Sequence, residues 1–309
     1  MHVVVVLLVV SFVTMLLLDL SPGDPARIAA GDNASPEQLA AAREQLNLDQ
    51  PMFVRWLLWL GGMLRGDFGT SLRTGQQVMT VIMERLPVTF EIAVLSLLLG
   101  LVIAIPLGTL CAYLANSTFD RVVQVVSSVL ISTPSFLTAL LFSFFLAVQV
   151  HLFPIGGWVS FTANPGQNLR YVALAVITLG LAEAVVFARL LRSDMLVVLR
   201  QEYILAATAR GLRPIVILVR HALRPSSFSL VTLAGLSLGR LIGGTVTIEV
   251  IFSIPGIGQL LYQSILNKDI VTVQGAVAFI AVAYVLVNAL VDLIYAKLDP
   301  RIGMGGKRR

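Results

Sequence analysis

The chain has 309 residues, 57% of them hydrophobic and 13% charged, with a formal net charge of +5. A water-soluble domain carries about 25% charged residues, so the composition excludes an ordinary soluble protein and requires lipid as the solvent. The single cysteine, Cys111, excludes an intrachain disulfide and a thiolate metal cluster, and it reads as a small packed apolar residue.

Crossing a hydrocarbon core takes about 20 residues of helix. Lipid cannot satisfy open backbone groups, which favours helices, and the apolar runs are too continuous for lipid-facing barrel strands. The expected fold is therefore an all-α membrane protein with six spans, at about 2–20, 86–115, 121–150, 171–193, 227–248 and 271–296. The first run is the weakest span, with a leader as the alternative; against a leader, no small-x-small cleavage pattern directly follows Leu20.

Residues 21–85 form an external segment. Ser35-Pro36-Glu37-Gln38 predicts a helix N-terminus, with the helix running to about Leu46. Met52, Phe53, Trp56, Leu57, Trp59, Leu60, Met63 and Leu64 recur at helical spacing. The pattern predicts a helix over 51–65, lying on the outer membrane face or packed on the rim of the bundle. Pro87 would open the second span, and Pro106 and Pro134 would kink the second and third. The fifth span carries Gly235, Gly239 and Gly243, a spacing that lets another helix approach closely. No internal repeat points to an inverted-repeat carrier.

Lysine and arginine placement sets the orientation. Arg121, Arg200, Arg210, Arg213, Arg220, Arg224 and the basic tail 297–309 fall on one side, against Arg170 and Lys268 in the short loops of the other. Both termini are expected in the cytoplasm. The core would be 86–296, with a cytoplasmic loop over 194–226. The positive balance reads as this inner flank, not as a nucleic-acid surface.

Ionisable groups at membrane depth are costly and default to function. Glu91, Glu183 and Arg240 qualify, at about 8, 18 and 12 Å below the outer boundary on a rise of ~1.5 Å per residue. Either acid could pair with Arg240 to hold helices in register, or the charges could line a pathway. No phosphate loop, H-E-x-x-H, G-x-S-x-G or T-V-G-Y-G pattern occurs. The chain therefore offers no visible catalytic residue, metal site or cofactor of its own, and energy, if needed, must come from a partner.

The stretch Glu202-Tyr203-Ile204-Leu205-Ala206-Ala207-Thr208-Ala209-Arg210-Gly211, followed by Arg220-His221-Ala222-Leu223-Arg224, is polar and arginine-rich between apolar runs. It resembles the cytoplasmic loop of the inner-membrane permease subunits of bacterial ABC importers, in the form carried by the peptide and nickel branch. Leu205 stands where the general motif has its acid, and the proline after the loop is shifted by one, to Pro225. Leu20-Ser21-Pro22-Gly23-Asp24-Pro25, Gly66-Asp67-Phe68-Gly69-Thr70-Ser71, Glu84-Arg85-Leu86-Pro87-Val88-Thr89 and the Glu249 to Gly258 stretch are similar to further motifs of that family. The resemblance implies a type I importer fold in a bacterial inner membrane, and the first of two permease subunits. It implies a coupling helix in 202–213 seated on an ATP-binding partner, with Glu202, Tyr203, Ala206, Ala207, Arg210, Gly211, Arg213, His221 and Leu223 as coupling residues. Ala206 and Ala207 would leave room for the groove wall. The implied partners are a second permease, two ATP-binding subunits that hold ATP and magnesium, and an external binding protein delivering di- or oligopeptides. Nickel chelates or haem are the alternative cargo, and a self-contained carrier or channel and an intramembrane enzyme are the rival classes.

Overall fold

Continuous apolar sequence becomes continuous helix through most of the chain. The computed structural model describes residues 2–19, 24–31, 34–71 and 73–298. Residues 20–23 of the first family-like motif and residues 299–309 of the basic tail lie outside the described residues. In chain order the helices are α1 (His2–Asp19), α2 (Pro25–Ala30), α3 (Pro36–Gln45), α4 (Met52–Leu64), α5 (Val78–Tyr113), α6 (Thr118–Ser132), α7 (Ser135–Phe142), α8 (Pro165–Val198), α9 (Glu202–Ala209), α10 (Pro214–Val216), α11 (Arg224–Gly244), α12 (Val246–Ile251), α13 (Ile257–Leu266) and α14 (Ile270–Leu298). Wider π-helical turns follow α7 over Ser143–Gln149 and join α10 to α11 over Ile217–Leu223. Among the described residues the only β pairing is one isolated bridge, Thr70 with Gln77.

Among the described residues, four helices are long and apolar enough to cross a membrane: Val78–Tyr113, Pro165–Val198, Pro214–Gly244 and Ile270–Val291. A fifth crossing exists if Thr118–Ser132 and Ser135–Gln149 are taken together, but that pair is bent by 105°. Proline 134 does more than the kink expected of it. The residue before a proline is pushed out of the α region, and Thr133 sits at φ −88°, ψ 124°, ending α6 outright. Helix α1 has 18 residues, about 27 Å at ~1.5 Å per residue, just under a core of ~30 Å.

The second span departs from expectation at its start. Helix α5 begins at Val78, so Pro87 lies inside it and does not open it. Packing outside the apolar run extends the helix. Val78 and Ile82 are fully buried in a cluster with Phe68, Ile257 and Ala278.

The chain divides into two compact units, residues up to Phe90 with Ile242–Leu286, and Glu91–Leu241 with residues from Val287 onward. In the first unit, Ser35 caps α3 in a capping box with Gln38, as the sequence predicts. Asp24 caps α2 and pairs with Arg43 at 2.9 Å. The Arg43 guanidinium, then the Ala26 N–H, hold the Asp24 carboxyl below its usual range. That contribution is present above the ordinary carboxylate pKa and is lost as pH falls through the lowered one. Both side chains are solvated, so it is worth well under ~1 kcal/mol. Helix α4 packs on α1 through Trp56, whose indole N–H donates to Ser11 Oγ at 3.1 Å while Phe12 meets the ring edge-on at 5.5 Å. Phe53, Leu57, Leu58 and Leu64 remain exposed on its other face.

In the second unit, α5, α8 and α11 close around a core of Ala104, Phe187, Leu191, Met195, Leu230 and Ala234. Small residues bring the helices together. A Cβ on Gly108 would come within 2.8 Å of the Ala188 carbonyl, and one on Gly180 within 2.9 Å of Leu99. Cys111 is buried, as its apolar reading requires. Asp120 and Arg192 tie α6 to α8 with a two-pronged pair, both contacts 2.6 Å.

Candidate functional site

The family-like loop folds as a short helix on a small apolar seat. After α8 ends at Val198, α9 covers Glu202–Ala209. Ile204 and Ala207 are buried against Ile217, with Leu199 at the edge. Ala207 therefore points inward and seats the helix. It is not part of the exposed face of the helix, whereas Ala206 is. Glu202, Tyr203, Leu205, Ala206, Arg210, Gly211 and Arg213 are exposed. Gly211 has φ +76°, a left-handed position where other residues are strained, and nothing lies within 4 Å of where a Cβ would be. It ends the helix and leaves room for an approaching surface. The Tyr203 hydroxyl donates to the His221 carbonyl at 3.3 Å, and His221 Nδ1 lies 3.3 Å from the Val216 carbonyl. Leu223 is half-buried and packs on the main core of its unit. His221 and Leu223 thus belong to the π-helical base that carries α9, not to its exposed face. Sequence periodicity gave no signal for that base.

At membrane depth, Arg240 finds Glu183. Nη2 of Arg240 lies 2.8 Å from Glu183 Oε1 and 3.0 Å from Oε2, and it donates to Ser237 Oγ at 3.2 Å. The acid is nearly buried, with 7% of its side chain exposed, while 59% of the arginine side chain is exposed. Glu183 lies near the middle of α8, ~22–27 Å along the axis from either end. The pair borders a cavity of about 240 Å³, which the break between α6 and α7 opens with Thr133, Ser135 and Thr138. Sequence reading missed these hydroxyls, which look like ordinary helix polar residues until the bend gathers them. Glu91 does not join the pair. It lies beside Asn168 of α8, with Oε1 buried and unbonded.

The glycine ridge packs against α14. A Cβ on Gly235 would fall 2.5 Å from Val291, and one on Gly243 3.5 Å from Ile280. Gly239 is buried.

Within the first unit, the family-like motifs meet each other. Thr89 and Thr245 each donate to Glu249 Oε1 at 2.8 Å. The Gln259 N–H donates to Oε2 at 3.0 Å, and the Ile257 N–H donates to Thr89 Oγ1 at 2.9 Å. Gly256 and Gly258 are needed because a Cβ at either would run into the fully buried Glu249 carboxylate. Likewise Ser71 donates to Asp269 Oδ2 at 2.6 Å, and Thr272 donates to the same oxygen at 2.7 Å. Among the described residues no three His, Cys, Asp or Glu side chains gather as a metal site.

Comparison with known proteins decides the family. The profile of the binding-protein-dependent transport system inner membrane component matches residues 104–304, and that of its N-terminal region matches residues 1–93. This chain belongs to that family of ABC-transporter permeases. It is a multi-pass inner-membrane protein, and its family works in complexes with ATP-binding and substrate-binding partners. It is 40% identical over 297 residues to a putative peptide transport system permease protein of Brucella abortus, covering 96% of this chain and 95% of the relative. It is 36% identical to the probable D,D-dipeptide transport system permease protein DdpB of Escherichia coli K12, over 96% and 94% of the two chains. It is 33% identical to the dipeptide transport system permease protein DppB of Alkalihalophilus pseudofirmus, over 96% and 95%. Its fold resembles a chain of the MetNI methionine ABC transporter solved in inward-facing conformations, with TM-score 0.56 and 22% identity over 72% of this chain and 97% of that one.

Proposed function

We propose that this permease is one half of the translocation pathway of an ATP-driven importer for di- or oligopeptides. It spans the membrane six times with both termini in the cytoplasm, and it pairs with a second permease. Two ATP-binding subunits supply ATP and magnesium, and an external binding protein delivers the peptide. The relatives named above, peptide and dipeptide permeases aligned over nearly their full length, support the cargo class.

The observation that carries the coupling role is α9. It is a short helix held by two buried residues on a π-helical base, with its remaining surface open and Gly211 clearing its end. ATP-driven closure of the partner subunits pushes on this surface, and the seat passes the push to α8 and α11. This is a bistable element biased by a distant ligand. Arg210 and Arg213 meet acids of the ATP-binding partner, while Ala207, His221 and Leu223 position the helix.

The test is Gly211→Arg in the complete reconstituted complex. A long side chain in the cleared space, at a left-handed backbone position, should leave the complex assembled but cut peptide uptake by at least about tenfold. Uptake at the unsubstituted rate would overturn the docking assignment.

A further inference from the structure

The cavity at the bend of α6 into α7 holds a charge arrangement that a helix-locking ion pair does not need. The Coulomb attraction within a pair is strongest when both partners are withdrawn from water. Here the acid is withdrawn and the base is not. Glu183 is 7% exposed, and its stem passes beside Gly100, where a Cβ would come within 3.0 Å of Glu183 Cβ. Arg240 is 59% exposed, and its three hydrogen bonds all leave through Nη2. Among the described residues Nε and Nη1 donate to nothing; they lie on different edges of the guanidinium, so each offers a single charge-assisted N–H to a carboxylate oxygen.

The rest of the lining has the opposite preference. Thr133 spends its hydroxyl proton on the Val129 carbonyl at 2.8 Å and Thr138 on Pro134 at 3.4 Å. Each oxygen is left as an acceptor, suited to N–H donors. Leu130 and Val186 supply apolar wall. The available volume, about 240 Å³, is below the ~300–1,000 Å³ of sites that enclose a whole drug-sized ligand. It suits an end group.

Resting on the peptide-import reading above, the geometry points to a carboxylate-recognition site in the membrane interior, in which Arg240 meets the C-terminal carboxylate of the passing peptide and the threonine oxygens receive its last amide N–H groups. Glu183 anchors Arg240 and does not touch the peptide. It also offsets the arginine's charge, so the carboxylate is held loosely enough to leave.

The experiment uses the complete complex in proteoliposomes with its binding protein. Uptake of one tripeptide is compared with uptake of its C-terminal amide. Any preference of the binding protein is common to all variants and cancels when ratios are compared. Arg240→Gln should lower the carboxylate-to-amide ratio by about tenfold, the equivalent of ~1.4 kcal/mol. Arg240→Lys should retain part of the preference. Glu183→Gln should leave the ratio at or above the unsubstituted value. Equal ratios in Arg240→Gln and the unsubstituted complex overturn the site while leaving peptide import intact. Parallel losses in Arg240→Gln and Glu183→Gln, with unchanged ratios, make the pair a structural strut and also overturn it. Failure of Arg240→Gln to assemble with the second permease overturns it in favour of a subunit contact. If the unsubstituted complex imports neither peptide, the peptide reading itself fails.

Discussion

Asp120 illustrates how single polar groups hold this lipid-embedded fold. Its carboxylate binds Arg192 on α8 and also accepts from the Asn116 N–H at 2.9 Å, closing the turn before α6. Removing one member of a buried pair leaves a charge without a partner, at a cost of about 3–5 kcal/mol. Asp120→Ala should therefore lower the melting temperature in detergent clearly, and adding Arg192→Met should restore much of the loss. If Asp120→Ala melts like the unsubstituted chain, the pair is not holding α6 to α8. Glu249 gives a second case, since its hydrogen-bond donors come from three separate segments. Glu249→Ala would orphan buried donors at ~1–3 kcal/mol each, and thermal unfolding should show Glu249→Gln affected much less. At this scale the sequence was partly legible. Charge in an apolar run pointed to Glu91, Glu183 and Arg240, but depth left either acid as the partner, and only the folded helices bring Glu183 to Arg240. Asp120 and Arg192 were overlooked because both sit near span ends, where a charge looks ordinary. The Thr89–Glu249 contact was invisible because the two residues are 160 positions apart.

At the scale of elements, apolar length predicted most helices and proline chemistry predicted where one would fail. Ser35 and Gln38 announced α3 by local hydrogen bonding alone, and α4 followed from helical spacing. The extension of α5 back to Val78 was not legible. It depends on Phe68 and Ile257, which no local pattern links to it. The severity of the break at Pro134 was also hidden, because sequence shows that a proline must disturb a helix but not by how much. That break opens the cavity beside Glu183. Replacing Pro134 with alanine restores an N–H and releases Thr133 toward the helical region. Pro134→Ala should straighten the α6–α7 junction and narrow the cavity, cutting uptake severalfold while leaving assembly with the ATP-binding subunits unchanged. Unchanged uptake would separate the bend from transport.

For the molecule as a whole, composition alone required a membrane, and the family works in complexes with ATP-binding partners. The architecture assigns each region one task. The segments of the first unit are tied by the Glu249 and Asp269 networks, the long apolar helices of the second carry the Glu183–Arg240 pair, and a short exposed helix sits on a π-helical base. Family membership fixes this chain as a permease, yet cargo and subunit count are not written in the span pattern, because lipid-facing residues answer to lipid and not to substrate. The most direct measurement is accumulation of labelled peptide in proteoliposomes, with and without the ATP-binding subunits. The account predicts accumulation only when those subunits, ATP and the external binding protein are all present. Accumulation by vesicles that carry this chain without any ATP-hydrolysing partner would contradict it.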